Sequence, residues 1–316
     1  MKPQDNEEIM TIKFPDAKAV IMSKDFHSYN MAEKYREMQS RSGIDFSTAI
    51  SLIEKLPIFM DGEAHKKNRK NMALLIAATK NEQEEEAKNT IDKLLRQYFT
   101  NCCELDLVSD FARPLWHAIA VRISQCEDDA QEVIDSIPSL FSPVLSIRKR
   151  EIINNRLTEI INRQGEGKIL HIALAALGTR PLTGSLALSL YDAILQNITV
   201  KASTLDLGYG YKKSSLTYVD RVCTSDTHIG SSQFRSGQRV RCITQSSEYT
   251  EEENLSSLYG FGAHVCLGRP ISQFIFQHLK EEISGYECSI TPVKLEMQEN
   301  SDPFNYPLCA NVRIEI

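Results

Sequence analysis

Apolar residues recur at helical spacing through most of the first two thirds of the chain. The pattern predicts helices over residues 31–38 and 46–56, a mainly helical region over 62–139, and an amphipathic helix over 144–163. Residues 168–198 are apolar on all sides, and a helix of that kind is buried rather than lying at the surface. We therefore expect a long helix that crosses the core there.

The pattern changes after residue 198. Residues 199–250 are rich in Ser, Thr, Gly and Val, which predicts short strands and turns, and residues 286–316 also predict strands. Between them, the sequence of residues 259–284 predicts a glycine-rich loop around a cysteine, followed by a helix. With the helical bulk at about 30–198, this order predicts one domain over residues 1–316, mainly α with a small β region.

Composition narrows the class of protein. The chain has 316 residues, 42% of them hydrophobic and 25% charged, so a sizeable core is expected. A net charge of −6 argues against a nucleic-acid partner. The eight cysteines lack the paired spacing of zinc sites, which favours reduced thiols. The polar, acidic start predicts no secretory signal, and no apolar run suits a bilayer, so we expect a cytoplasmic protein with no membrane partner.

One loop carries the strongest chemical signal. Its glycines allow sharp turns and close approach to a flat ligand, and its cysteine precedes an apolar helix over residues 271–279. The start of a helix stabilises a thiolate, which is a suitable axial ligand for haem iron. Taken alone, the loop could instead be a turn with a structural cysteine, or part of a zinc or iron site. The positions concerned are Tyr259, Gly260, Gly262, His264, Cys266 and Gly268.

This spacing resembles the haem-binding loop of the cytochrome P450 family: an aromatic residue, then Gly-x-Gly-x-His-x-Cys-x-Gly. Tyr259 stands where the family usually has Phe. The resemblance extends over about residues 55–285 and includes the helix-pair segment over residues 104–123. It implies a truncated P450-like fold of the bacterial type, haem b as cofactor, and Cys266 as the ligand of its iron.

Four basic residues stand where the family holds the haem propionates. His65 and Arg69 are four residues apart, so they share one helix face. By resemblance, Arg221 lies on the strand that binds a propionate, and His264 lies two residues before the cysteine. Each of them alone could be an ordinary surface cation, but their order along the chain matches the family.

The long central helix departs from the family. The resemblance places an acid-alcohol pair there, which delivers protons, but this chain has Arg180 and Pro181, with Thr183 close by. Such an Arg-Pro pair resembles the peroxide-using branch, in which the arginine binds a substrate carboxylate. We therefore expect Arg180, Pro181 and Thr183 to serve the reaction. The alternative is that Arg180 points outward and Pro181 only bends the helix.

A second departure concerns a structural element. The family's Glu-x-x-Arg helix should follow the central helix, but residues 193–219 contain no Glu. The element is therefore predicted to be deleted. The segment between Arg69 and Arg180 is also short for the family, which predicts a reduced substrate lid. A reduced lid suits either a small open site or a bulky substrate, such as one tethered to a carrier.

The resemblance implies an oxidoreductase that oxidises a small organic substrate, which could bear a carboxylate. It could be a monooxygenase that uses oxygen and a ferredoxin-type electron donor, or a peroxygenase that uses hydrogen peroxide. The alternative is a haem-binding sensor or a degenerate partner subunit without turnover. Neither Gly-x-Gly-x-x-Gly nor Gly-x-Ser-x-Gly occurs in the chain, which argues against a dinucleotide-binding enzyme or a serine hydrolase.

Overall fold

The computed structural model describes residues 9–126, 128–196, 198–208, 210–298, 303–304 and 306–316. Helices make up 58% of the chain and strands 16%, so the predicted mainly α architecture with a small β region is confirmed. The α-helices in the described residues are α1 (Asp16–Met22), α2 (Met31–Ser42), α3 (Ser47–Ile53), α4 (Gly62–Ala78), α5 (Lys80–Tyr98), α6 (Arg113–Ser124), α7 (Gln131–Ser136), α8 (Ile147–Gln164), α9 (Ile169–Leu195), α10 (Glu251–Ser257) and α11 (Arg269–Ile283).

The strands of the described residues are β1 (Met10–Ile12), β2 (Phe26–Ser28), β3 (Cys103–Asp106), β4 (Val200–Lys201), β5 (Tyr218–Cys223), β6 (Thr227–Ile229), β7 (Ser232–Phe234), β8 (Arg239–Ile243), β9 (Ser289–Met297) and β10 (Pro307–Glu315). They form two four-stranded sheets and one hairpin. One sheet has the order β1-β8-β5-β2, the other β3-β10-β9-β4, and β6 pairs with β7.

The chain divides into two compact units, each made of two segments. Unit 1 comprises Met1–Lys70 and Leu216–Cys266. In it, β1 runs parallel to β8, while β5 pairs antiparallel with both β8 and β2. Alternate side chains of these strands point to one face of the sheet, where α1 packs on them. The resulting core contains Ile12, Ala17, Val20, Phe26, Cys223, Phe234, Val240 and Cys242.

Unit 2 comprises Asn71–Ser215 and Leu267–Ile316, and α9 is its central helix. As the sequence predicts, most of the side chains of α9 are buried, and it packs against α6, α7, β9 and β10. A Cβ on Gly178 would lie 2.2 Å from the indole ring of Trp116, so only glycine leaves room for this ring. The indole Nε1 of Trp116 donates to Thr179 Oγ1 at 3.2 Å, which orients the tryptophan on α9.

In the described residues that follow α9, the helix that the family resemblance implies is absent. In the described part of residues 196–217 there is only the short strand β4 and a single 3-10 turn, Ala202–Thr204. The predicted loss of the Glu-x-x-Arg helix is therefore confirmed. In the described part of the chain, none of the helices combines the length and apolar character that crossing a bilayer requires.

Candidate functional site

The loop that ends at Cys266 is closed by its own backbone. The Cys266 N–H donates to the carbonyl of Tyr259 at 2.7 Å, and the His264 N–H donates to the carbonyl of Phe261 at 3.1 Å. Gly260 has a φ of 75°, and a Cβ there would lie 3.1 Å from the His264 carbonyl oxygen. Glycine at 260 is therefore required by both backbone conformation and space. The loop leaves the Cys266 side chain exposed.

Helix α4 brings two predicted residues to this loop. The Arg69 guanidinium donates to the backbone carbonyl of Val265, the residue directly before Cys266. His65, one turn earlier on α4, is only 4% exposed, and its ring centroid lies 4.5 Å from that of His264. The i and i+4 spacing of His65 and Arg69 thus places both side chains against the cysteine loop.

Asp61, directly before α4, joins the same group. Its carboxylate accepts the Ser28 N–H at 2.6 Å and lies 3.5 Å from His264 Nε2. Burial acts to raise the pKa of Asp61, but the hydrogen bonds from His264 and Ser28 outweigh it and lower the pKa to about 2. Asp61 therefore carries its negative charge at neutral pH and holds His264 in place.

Arg221 contributes a buried cation from β5. It is 3% exposed, and its Nη1 donates to the carbonyl of Asp220 at 3.1 Å. Burial lowers the pKa of Arg221, and interactions with Cys242, Asp61 and Asp220 only partly oppose this. A buried guanidinium is costly unless anions or acceptors surround it.

The group as a whole is short of negative charge. Burial also lowers the pKa of His65, with the positive charges of His264 and Arg69 adding to the effect, and burial lowers the pKa of Arg69. Among the described residues, His65 Nε2 is buried without a hydrogen-bond partner. Burial without enough anionic partners explains all these shifts. The residues therefore fit a bound group that brings carboxylates, as the propionates of haem would.

The remaining predicted residues lie in unit 2. On α9, Arg180 Nη2 donates to Ser139 Oγ at 2.5 Å. Pro181 lies inside the helix, and Ser215 Oγ donates to the carbonyls of both Arg180 and Pro181. Thr183 is 1% exposed, and its Oγ1 has no hydrogen-bond partner among the described residues. Arg180 and Thr183, three residues apart, therefore share one side of α9.

Gly268 is the helix cap before α11. Its carbonyl accepts the Ser272 N–H at 3.0 Å and the Ser272 hydroxyl at 2.9 Å. Its φ of −79° is one that any residue adopts, so the backbone does not demand glycine there.

The predicted residues thus form two sets. Unit 1 brings seven of them together at the cysteine loop, whereas the other four belong to unit 2. Sequence reasoning missed Asp61 and Ser139, the partners of His264 and Arg180. The only signal for Asp61 was its place directly before the His65 helix, and none marked Ser139, 41 residues from Arg180. The seven are His65, Arg69, Arg221, Tyr259, Gly260, His264 and Cys266.

Comparison with known proteins identifies the fold of the chain. No family profile matches the sequence, and no curated protein is significantly similar to it. Solved structures, by contrast, match along most of the chain, and those described below are all cytochrome P450s. The chain therefore has the fold of the cytochrome P450s, the haem-thiolate monooxygenases, which confirms the fold that the resemblance implied.

Three of these structures show the extent of the likeness. A thermophilic cytochrome P450 from Sulfolobus tokodaii is 17% identical, with a TM-score of 0.71 over 97% of this chain and 94% of that one. The versatile P450 enzyme CYP109B1 of Bacillus subtilis is 17% identical, with 0.65 over 99% and 95%. P450BioI, in complex with an acyl carrier protein ligated to hexadec-9Z-enoic acid, is 13% identical, with 0.69 over 96% and 92%.

Proposed function

We propose that the protein is a divergent member of the cytochrome P450 family, a haem-thiolate oxidoreductase that oxidises a small organic substrate. The observation that carries this proposal is the contact between Arg69 and the Val265 carbonyl. In a chain of P450 fold, this contact joins a cation-rich, anion-poor group to the loop that presents Cys266.

In this proposal, Cys266 ligates the iron of haem b, which when bound supplies the oxidising chemistry. His65, Arg69, Arg221 and His264 hold the two propionates, whose negative charges offset the positive charge of the group. Tyr259 and Gly260 fix the path of the loop, and Gly268 caps the helix that follows. Asp61 keeps His264 oriented and is not itself a ligand of the cofactor.

The ligand assignment is tested by the spectrum of the reduced, carbon-monoxide-treated protein. Thiolate ligation gives a red-shifted Soret band, which should be lost in Cys266→Ser. Cys102→Ser is the matched control, because Cys102 is also exposed but lies outside the cysteine loop. We expect this control to keep the band. A Cys266→Ser protein with an unchanged red-shifted band would contradict the assignment.

For the substrate, we propose a molecule with a free carboxylate, bound by Arg180. The Arg180 guanidinium already lies against a hydroxyl, Ser139 Oγ, and can form two parallel hydrogen bonds with a carboxylate. Thr183 offers a buried hydroxyl on the same side of α9 to orient substrate or water. Pro181 removes one backbone N–H from the helix and so loosens its local hydrogen bonding.

The substrate class is tested by pairs of ligands that differ only in charge. We expect Arg180→Gln to weaken binding of a fatty acid by roughly ten- to a hundredfold, as loss of a charge-assisted pair implies. Binding of the methyl ester should change little. An acyl group tethered to a carrier, as in the P450BioI complex, lacks the free carboxylate and should behave as the ester does. Equal losses of affinity for the acid and the ester would exclude Arg180 as the residue that binds a substrate carboxylate.

For the oxidant, we propose hydrogen peroxide, which donates one oxygen atom to the substrate and leaves as water. The supporting observation is that the only carboxylate on α9 is Asp192, near its end, so no acid adjoins Arg180 and Thr183 on that helix. Product formed with peroxide alone, in equal amount to peroxide consumed, is the expected result. Turnover that requires oxygen with a ferredoxin-type donor would contradict this step, and no turnover with either would favour a sensor or partner subunit.

A further inference from the structure

A group of three potential metal ligands lies in unit 2, between α5 and α11. Asp92 comes from α5, while His278 and Glu282 come from α11. One ligand atom of each residue lies within 4.8 Å of the other two. Two of these atoms, His278 Nε2 and Asp92 Oδ1, lie 3.2 Å apart. A single ion with ligand distances of about 2.0–2.3 Å needs only small side-chain adjustments to reach all three.

The surrounding structure fixes the positions of these side chains. His278 and Glu282 are four residues apart, so they project from the same face of α11. Phe274 lies one turn before His278 on α11. Its ring stacks on that of His278, with 10° between the ring planes and 6.3 Å between the centroids. The His278 side chain is only 12% exposed, and Asp92 belongs to a helix that packs directly on α11. Two of the ligands are therefore held before any ion binds.

Neither carboxylate of this group forms an ion pair with a lysine or arginine among the described residues. Glu282 has no ion-pair partner there, and Asp92 has only His278. Burial raises the pKa of the nearby Tyr286, and although Arg96 opposes this, Asp92 and Glu282 raise it further. The other neighbouring cation, Lys88, lies over the Phe274 ring, 5.5 Å from its centroid. Two carboxylates thus face one imidazole.

We propose that Asp92, His278 and Glu282 form a binding site for a divalent cation of the Mn²⁺ class. One imidazole and two carboxylates suit a first-row divalent ion, and the exposed side of Glu282 leaves positions for water. A bound ion joins α5 to α11 more firmly than the hydrogen bond between Asp92 and His278 alone. This site is independent of the haem proposal, because it uses none of the residues assigned there.

The test counts bound Mn²⁺ in the purified protein by the loss of the six-line electron paramagnetic resonance signal of free Mn²⁺. Mn²⁺ is the chosen probe because thiolates bind it poorly, so the eight cysteines do not compete. We expect one equivalent to bind, and a rise in Tm that grows with Mn²⁺ concentration. Glu282→Gln should lose both effects, and since Glu282 is exposed, this variant should fold normally.

Glu281→Gln is the matched control. It removes the same charge from the neighbouring exposed position on α11, where Glu281 accepts a hydrogen bond from Gln277 instead. We expect it to keep the bound equivalent. Asp92→Asn provides a second loss-of-ligand variant, from the other helix. The proposal is overturned if no Mn²⁺ binds, or if Glu282→Gln binds as much as the wild type. Equal losses in Glu281→Gln and Glu282→Gln would also overturn it, because they would indicate a diffuse effect of surface charge.

Discussion

At the scale of single residues, the cysteine loop depends on side chains that hold one another. Asp61 accepts hydrogen bonds from Ser28 and contacts His264, and His264 in turn packs on His65. Arg69 fixes the carbonyl before Cys266. The basic residues do not stabilise one another, because like charges repel. The stability of their arrangement therefore depends on a small number of contacts with anionic groups.

The first prediction concerns the pH dependence of Asp61. Its pKa falls from 3.8 in the unfolded chain to about 2 in the fold, so its contribution to stability is complete above about pH 4. That contribution is lost as the pH falls through about 2. We expect Asp61→Asn to lower the free energy of unfolding by about 1 kcal/mol near neutral pH, after allowing for partial exposure.

Urea unfolding of both proteins, near neutral pH and at about pH 3, measures this effect. The difference between wild type and variant should shrink at the lower pH, because Asp61 is then mostly protonated in the unfolded chain while it is still mostly ionised in the fold. A difference that stays constant or grows on acidification would show that the Asp61 charge does not stabilise the fold.

At the scale of elements, α9 is positioned by close contacts that require particular residues. Gly178 receives the indole ring of Trp116. Further along, a Cβ on Gly184 would lie 2.9 Å from that of Ser215, and the Ser215 N–H donates to Ser185 Oγ at 3.0 Å. These contacts lie on either side of Pro181, so the interrupted part of the helix is supported from both directions along the chain.

The second prediction is that Gly178→Ala destabilises unit 2 by about 1–3 kcal/mol, the usual penalty of overpacking. The new methyl group would overlap the Trp116 ring, which has to move and give up its hydrogen bond to Thr179. Thermal or urea unfolding measures the loss. Gly167→Ala is the control, since no atom lies within 4 Å of a Cβ there, and it should be nearly neutral. Similar losses in both variants would contradict the packing explanation.

The sequence predicted those parts of the structure that leave a pattern among residues close together in the chain. Helical periodicity placed α8 and α9 to within a few residues, because each buries its own apolar residues. Glycine spacing marked the cysteine loop. In contrast, the contact of Arg180 with Ser139 joins residues far apart in the chain, with no local pattern to reveal it. The division into two units was likewise not predicted, because each unit is assembled from segments distant in sequence.

At the scale of the whole molecule, the proposed cofactor contacts concentrate in unit 1. Its basic residues at 65, 69, 221 and 264 come from both of its segments, so a ligand that binds all of them links the two segments. The anionic groups of such a ligand should therefore stabilise the fold as well as contribute to binding, because they offset the cost of burying positive charge.

The third prediction is that haem raises the Tm of the haem-free protein more than haem dimethyl ester does. The ester keeps the porphyrin and the iron but loses the propionate charges. Ligand stabilisation follows RT ln(1 + [L]/Kd), about 2.7 kcal/mol at a hundredfold excess over Kd, so weaker binding gives a smaller shift. Differential scanning calorimetry with equal concentrations measures both. Equal shifts would show that the basic group does not recognise carboxylates.

The central position of α9 has a consequence for how the protein emerges from the ribosome. This apolar helix is complete by Leu195, yet β9 and β10, which cover part of it, begin only at Ser289. Until β10 has left the exit tunnel, a hydrophobic surface of α9 stays open to the solvent. Nascent chains stalled before residue 289 should therefore be captured by chaperones, and chains in which residues 289–316 have left the tunnel should not.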